Sequence, residues 1–170
     1  MADKSILSLC VVCLLGLIDG ATGAAHAQNF ESELQAKTAF RRENAECDVA
    51  DLQVARLGAS ARAASRWREI LMVAGKVEGC GGGNNWGTSV AFYDVGGGAA
   101  TPVPHRPIGF AGVDSIQPTQ VAGVPAISVI GRTWGSDDAH CCPTQGEEVR
   151  FWVEAEGVVW RVMRTWRASN

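Results

Sequence analysis

The chain has 170 residues, with 15 Lys and Arg against 18 Asp and Glu, giving a formal charge of −3. That balance gives no general attraction for polyanions, and no basic block runs along the sequence, so nucleic acid is not an expected partner. The length suits one ordinary domain with one core, and no linker or repeat divides it.

The N-terminus carries Lys4, an apolar run from Ile6 to Ile18, and small residues ending in Ala25-His26-Ala27. This pattern predicts a secretory signal peptide over residues 1–27, cleaved after Ala27, because the apolar run is too short to cross about 30 Å of hydrocarbon. Cys10 and Cys13 lie inside the run, and Leu9 and Val12 before them are not the small residues of a lipoprotein signal. The expected product is a periplasmic or secreted domain over 28–170, with no transmembrane segment and a net charge of −2. It keeps Cys47, Cys80, Cys141 and Cys142, and an even count in an oxidising compartment favours disulfides.

Along the mature chain, residues 30–45 combine Phe30, Leu34 and Phe40 with alanines and other good helix formers, which predicts a short helix. Ala50, Leu52 and Val54 alternate, so a strand is expected over 49–57. The β-rich run after Trp67 ends in Gly79-Cys80-Gly81-Gly82-Gly83-Asn84-Asn85, a turn that no helix would tolerate. In the next strand Val90 and Phe92 face one way, Ala91 and Tyr93 the other. The proline-rich segment 101–107 predicts an extended edge or loop, and strands are expected over 111–121 and 124–134. At the C-terminus Val149, Phe151 and Val153 alternate with Glu148, Arg150, Trp152 and Glu154, and Val158, Trp160 and Val162 share a face with Trp166. These two runs predict a β-hairpin turning at Glu156-Gly157, with Trp160 and Trp166 in the core. The fold class is α+β, mainly β: a short N-terminal helix followed by an antiparallel sheet, curled into a partial barrel or a sandwich.

The stretch 136–145, SDDAHCCPTQ, is the most specific signal. With the glycine-rich turn after Gly79 and the strand that follows, its Asp137, Asp138, Cys141, Cys142, Pro143 and Thr144 resemble the D-D-P-x-C-C-P-T element of small exported bacterial proteins of unknown function, among them lipoproteins of the LppP/LprE type. Ala139 stands where proline is usual, and the predicted cleavage site replaces the lipid-attachment signal. The resemblance implies an envelope location and a β-rich domain, and it implies no reaction.

Three readings of the cysteine pair follow. Neighbouring side chains on an extended segment point to opposite faces, so Cys47 and Cys80 can each take one member of the pair, making a clamp. Alternatively Cys47 bonds Cys80 and the pair forms a vicinal bridge; adjacent Cα atoms lie about 3.8 Å apart, below the usual disulfide span, so that bond would be strained and easily reduced. The chain would then be a thiol/disulfide-active protein. The third reading takes Asp137, Asp138 and His140 with a thiolate as metal ligands of an enzyme. Against it, thiols oxidise in this compartment, and the two aspartates also suit turn-making.

No G-x-S-x-G elbow or phosphate-loop motif is present, and the adjacent Glu147 and Glu148 point to opposite sides of a strand, so catalysis has little support and no cofactor is expected. Trp86, after the glycine turn, and Trp152, beside Arg150 on the polar hairpin face, make the candidate binding surface, for a glycan or an envelope protein. The expected function is non-catalytic binding or support of the envelope.

Overall fold

A computed structural model describes residues 28–58, 66–82, 86–138 and 142–168. Among the described residues one α-helix, α1, occupies 28–43, and a short 3-10 turn spans Cys80–Gly82. Two antiparallel sheets follow. The first joins β1 (Asp48–Leu57), β2 (Ile70–Glu78) and β3 (Trp86–Asp94), with the short β4 (Thr101–Pro102) and β5 (Gly109–Phe110) both on the free side of β3. The second is a meander of β6 (Gly112–Val121), β7 (Val124–Thr133), β8 (Gln145–Glu154) and β9 (Gly157–Arg167). Among the described residues, no helix is long and apolar enough to cross a membrane.

Alternation along β2 and β3 explains the layering. Ile70, Met72, Val90 and Phe92 point into a core shared with Val129 and Phe151 of the second sheet. Leu71, Val73 and Tyr93 point the other way, into a second core closed by Ala36, Ala39 and Phe40 of α1. Both faces of these strands are therefore apolar, as sheets covered on two sides require. The result is three layers: helix, first sheet, second sheet.

Gly75 of β2 permits the close approach of the helix. A Cβ there would stand 2.5 Å from Leu52 Cδ2 and 2.8 Å from Phe40 Cε1. The Tyr93 hydroxyl donates to Glu43 Oε2 at 2.8 Å, fastening the end of α1 to β3. Burial, with that carboxylate beside it, raises the Tyr93 pKa far above its ordinary value. The helix does not bury all its large apolar residues: Phe30 and Leu34 are exposed, and the packed face runs through Ser32, Ala36, Ala39 and Phe40 at helical spacing.

Cys47 bonds Cys80, with Cα atoms 4.3 Å apart. The bridge sits where β1 begins and β2 has ended, just past the Asp48–Glu78 pair. This overturns the clamp in which Cys47 and Cys80 each take one member of the Cys141-Cys142 pair, because each has the other as its partner. The residues that close the ladder at this end hold the two cysteines close together, and backbone pairing thus decides the connectivity.

The C-terminal hairpin departs from simple alternation in two ways. Its turn is Ala155-Glu156, with Gly157 already paired to Glu154 at φ +142°, where a Cβ would collide with the Pro104 carbonyl oxygen. More consequentially, β9 carries a bulge: Val149 pairs Val162, but its neighbour Glu148 pairs Arg164. One extra residue reverses every side chain beyond it. Trp166 is consequently not a core residue beside Val158 and Trp160; it lies on the outer face, opposite Gly146 and 37 % exposed. Val162, at the margin of the inner face, is 38 % exposed. Trp160 packs against the main core, and its Nε1 donates to the Arg106 carbonyl at 3.2 Å.

Candidate functional site

The tryptophans singled out from the sequence fall on separate surfaces. Trp86 opens β3 and pairs with Glu78, whereas Trp152 pairs with Ala126 and Val159. Trp134 follows β7 at the end where β8 begins, and its ring lies edge-on to Trp86 at 5.6 Å between centroids. Trp152 stands near the other end of β8, so Trp86 and Trp152 do not form one platform.

Trp86 and Trp134 flank an open cleft of about 330 Å³ at the end of the sandwich. Val77 forms part of one wall, Ile108 and Phe110 another, and the hydroxyl-bearing Thr88 and Ser89 also line it. Cys80 lines the cleft too, so the disulfide braces its rim. Backbone packing sets its shape: Gly87 lies so close to the Phe110 carbonyl that a Cβ would stand 3.0 Å from the oxygen. Trp86 is 36 % exposed. No ionisable side chain lines the cleft among the described residues. Such a lining favours uncharged ligands held by contact with aromatic rings and a few hydroxyls.

The second surface is the outer face of the second sheet. Glu148 is only 8 % exposed there, and Ser128 Oγ, Arg150 Nε and Arg164 Nε each reach its carboxylate at 2.9 Å. Burial pushes this carboxyl up, but the hydrogen bonds from Ser128 and Arg150 and the charges of Arg150 and Arg164 outweigh it and hold the pKa below the ordinary glutamate value. Arg161 is paired across the ladder with Arg150 and forms no ion pair among the described residues. Arg164 also lies over the Trp166 ring at 5.1 Å, and that ring in turn packs on Gly146, where a Cβ would come within 2.4 Å of it. Trp152 is half-buried, its Nε1 donating to Glu154 Oε1 at 3.0 Å. Glu147, pointing to the opposite side from Glu148, has its pKa raised by burial.

Arg161, Arg164 and Trp134 carry no signal in the sequence that marks them as site residues, and Glu148, placed on the polar face of its strand, carries none for its burial among arginines. Strict alternation would put Arg161 and Arg164 on opposite faces, and only the bulge brings them together.

The SDDAHCCPTQ segment is part of the link from β7 to β8. Asp138 ties its two ends, accepting from the Gly135 and Thr144 backbone N–H groups at 2.7 Å each and from the Thr144 hydroxyl. These bonds, led by that of the hydroxyl, hold the Asp138 pKa below the usual aspartate value. Its carboxylate thus serves the loop. Asp137 and Cys142 are exposed, and His140 and Cys141 lie outside the described residues. Among the described residues no three His, Cys, Asp or Glu side chains are grouped to hold a metal ion.

Comparison with models of protein families, with curated proteins and with solved structures finds no match for the chain.

Proposed function

We propose that the chain is an exported, disulfide-braced binding protein of the cell envelope that takes an uncharged, ring-bearing ligand, of which a neutral sugar is the best match, into the Trp86–Trp134 cleft. The exposed Trp86 edge-on to Trp134, in a cleft whose described lining bears no charge, carries this reading. A sugar ring offers an apolar face to an indole and hydroxyls to polar groups beside it, and Thr88, on the same strand face as Trp86, lines the cleft. Catalysis on such a ligand would call for an acid or base, and the residues described around the cleft include none. Export is supported by Lys4, the apolar Ile6–Ile18 run and Ala25-His26-Ala27, an envelope role by the resemblance to LppP/LprE-type proteins, and an oxidising compartment by the Cys47–Cys80 bond.

The test is titration of the purified protein with soluble neutral oligosaccharides (malto-, cello- and chitohexaose), followed by tryptophan fluorescence and by calorimetry. Saturable binding is expected, abolished in Trp86→Ala and retained in Trp152→Ala. If none of the three saccharides binds, or if Trp86→Ala binds as well as the parent, the cleft is not a sugar site.

A further inference from the structure

The outer face of the second sheet presents an imbalance of charge that the fold alone does not call for. Arg150 and Arg161 are direct cross-strand neighbours, an arrangement of like charges that destabilises a sheet. Arg164 adds a third cation, and Glu148 is the single carboxylate placed among them. In a chain whose overall charge is −3, the centre of this face is positive.

Two of the three cations, Arg150 and Arg164, are also held in place. Glu148 engages both Arg150 and Arg164 through Nε, and Trp166 supports Arg164 from the side. No acceptor among the described residues occupies their terminal amino groups, which can donate in pairs to a carboxylate or similar anion. Fixing these long side chains beforehand removes part of the entropy cost of binding. Trp166, opposite Gly146, and Trp152 bracket the cluster along β8, about 20 Å apart at the rise of an antiparallel strand. The arrangement is a strip with an indole at each end, that of Trp152 hydrogen-bonded to Glu154, and guanidinium groups between.

From this strip we infer a second binding site, which takes an acidic polysaccharide laid across the outer face of β8 and β9, its carboxylates on Arg150, Arg161 and Arg164. An acidic peptide would bind a sheet most readily by extending its edge. The far side of β9 is covered by Pro104–Arg106 as far as Trp160, and the free remainder contains the bulge, which breaks the regular hydrogen-bonding register that strand addition uses. The cations, moreover, project from the face of the sheet, where a polymer with no need of backbone pairing can reach them. This site is independent of the Trp86 cleft, and either can fail without the other.

Binding of purified protein with its Cys47–Cys80 bond intact should be measured against polygalacturonate, neutral dextran and polyglutamate at low and high salt. Polygalacturonate is expected to bind at low salt, to be released as salt rises, and to bind far more tightly than dextran or polyglutamate. Arg161→Gln, which removes a side chain outside the Glu148 network, should weaken binding about tenfold, the equivalent of one charge-assisted hydrogen bond. Trp86→Ala should change nothing. Failure to bind polygalacturonate at low salt, equal binding of dextran, or full affinity in Arg161→Gln would each overturn the inference. Tighter binding of polyglutamate would overturn it in favour of an acidic peptide.

Discussion

Glu148 shows how a single side chain organises a surface. Its place on the polar side of β8 was legible in the alternation around Val149 and Phe151, but its burial was not, because the arginine that completes its cover arrives through a bulge in the next strand. Since its pKa in the fold lies below the ordinary value, near 4.3 in unfolded chains, its stabilising contribution is complete above that pH. It is lost as the pH falls through the lower folded value. Glu148→Gln should therefore cost about 1–2 kcal/mol near pH 6, discounted from a fully buried pair because both arginines remain partly solvated. Urea unfolding at pH 6 and pH 3 checks this: the gap between parent and variant should narrow at pH 3. A gap of equal size at both would mean that the side chain's packing matters and its charge does not. Glu147 has the opposite sign, since a pKa raised by burial makes its ionised form a liability at neutral pH.

At the scale of elements, the alternating runs located strands even where a register shift interrupts the pairing, as in β1 between Ala50 and Gln53 and in β6 between Val113 and Ser115. The strands expected over 49–57, 111–121 and 124–134 correspond to β1, β6 and β7, and the two faces assigned to β3 are those of the two cores. The failures share a cause. A period of two carries no mark of where one residue is inserted, so the bulge in β9 misplaced Trp166 and hid the proximity of Arg161 and Arg164. Turns leave plainer traces. Ala122-Gly123 joins β6 to β7 with φ of +49° and +80°, the signature of the two-residue turn that matches the twist of a hairpin. Ala122 is a poor occupant of that conformation, since its Cβ crowds the backbone there, whereas asparagine adopts it readily. Ala122→Asn should stabilise the protein by about 1 kcal/mol, read as a higher urea midpoint with an unchanged slope. A lower midpoint would mean that this turn does not control the β6–β7 register.

For the whole molecule, the class of fold was within reach of the sequence, because a helix-forming segment followed by short alternating runs and glycine-rich turns admits few other architectures. What the sequence withheld was the division into two sheets and the pairing of the cysteines, which depend on contacts between residues far apart in the chain. The layering makes a definite demand on cooperativity. β2 and β3 give one face to the core under α1 and the other to the core between the sheets, so neither core can loosen without disturbing strands that the other needs. Phe40 closes the first and Phe151 the second, both fully buried. Phe40→Ala and Phe151→Ala should each cost about 3–5 kcal/mol through lost burial and the cavity left behind. In both variants, far-UV and near-UV circular dichroism should report one coincident thermal transition. If Phe40→Ala instead melts in two steps, the helix leaving first while the sandwich persists, then α1 is an appendage, and the sheets are stable without the layer that covers Leu71, Val73 and Tyr93.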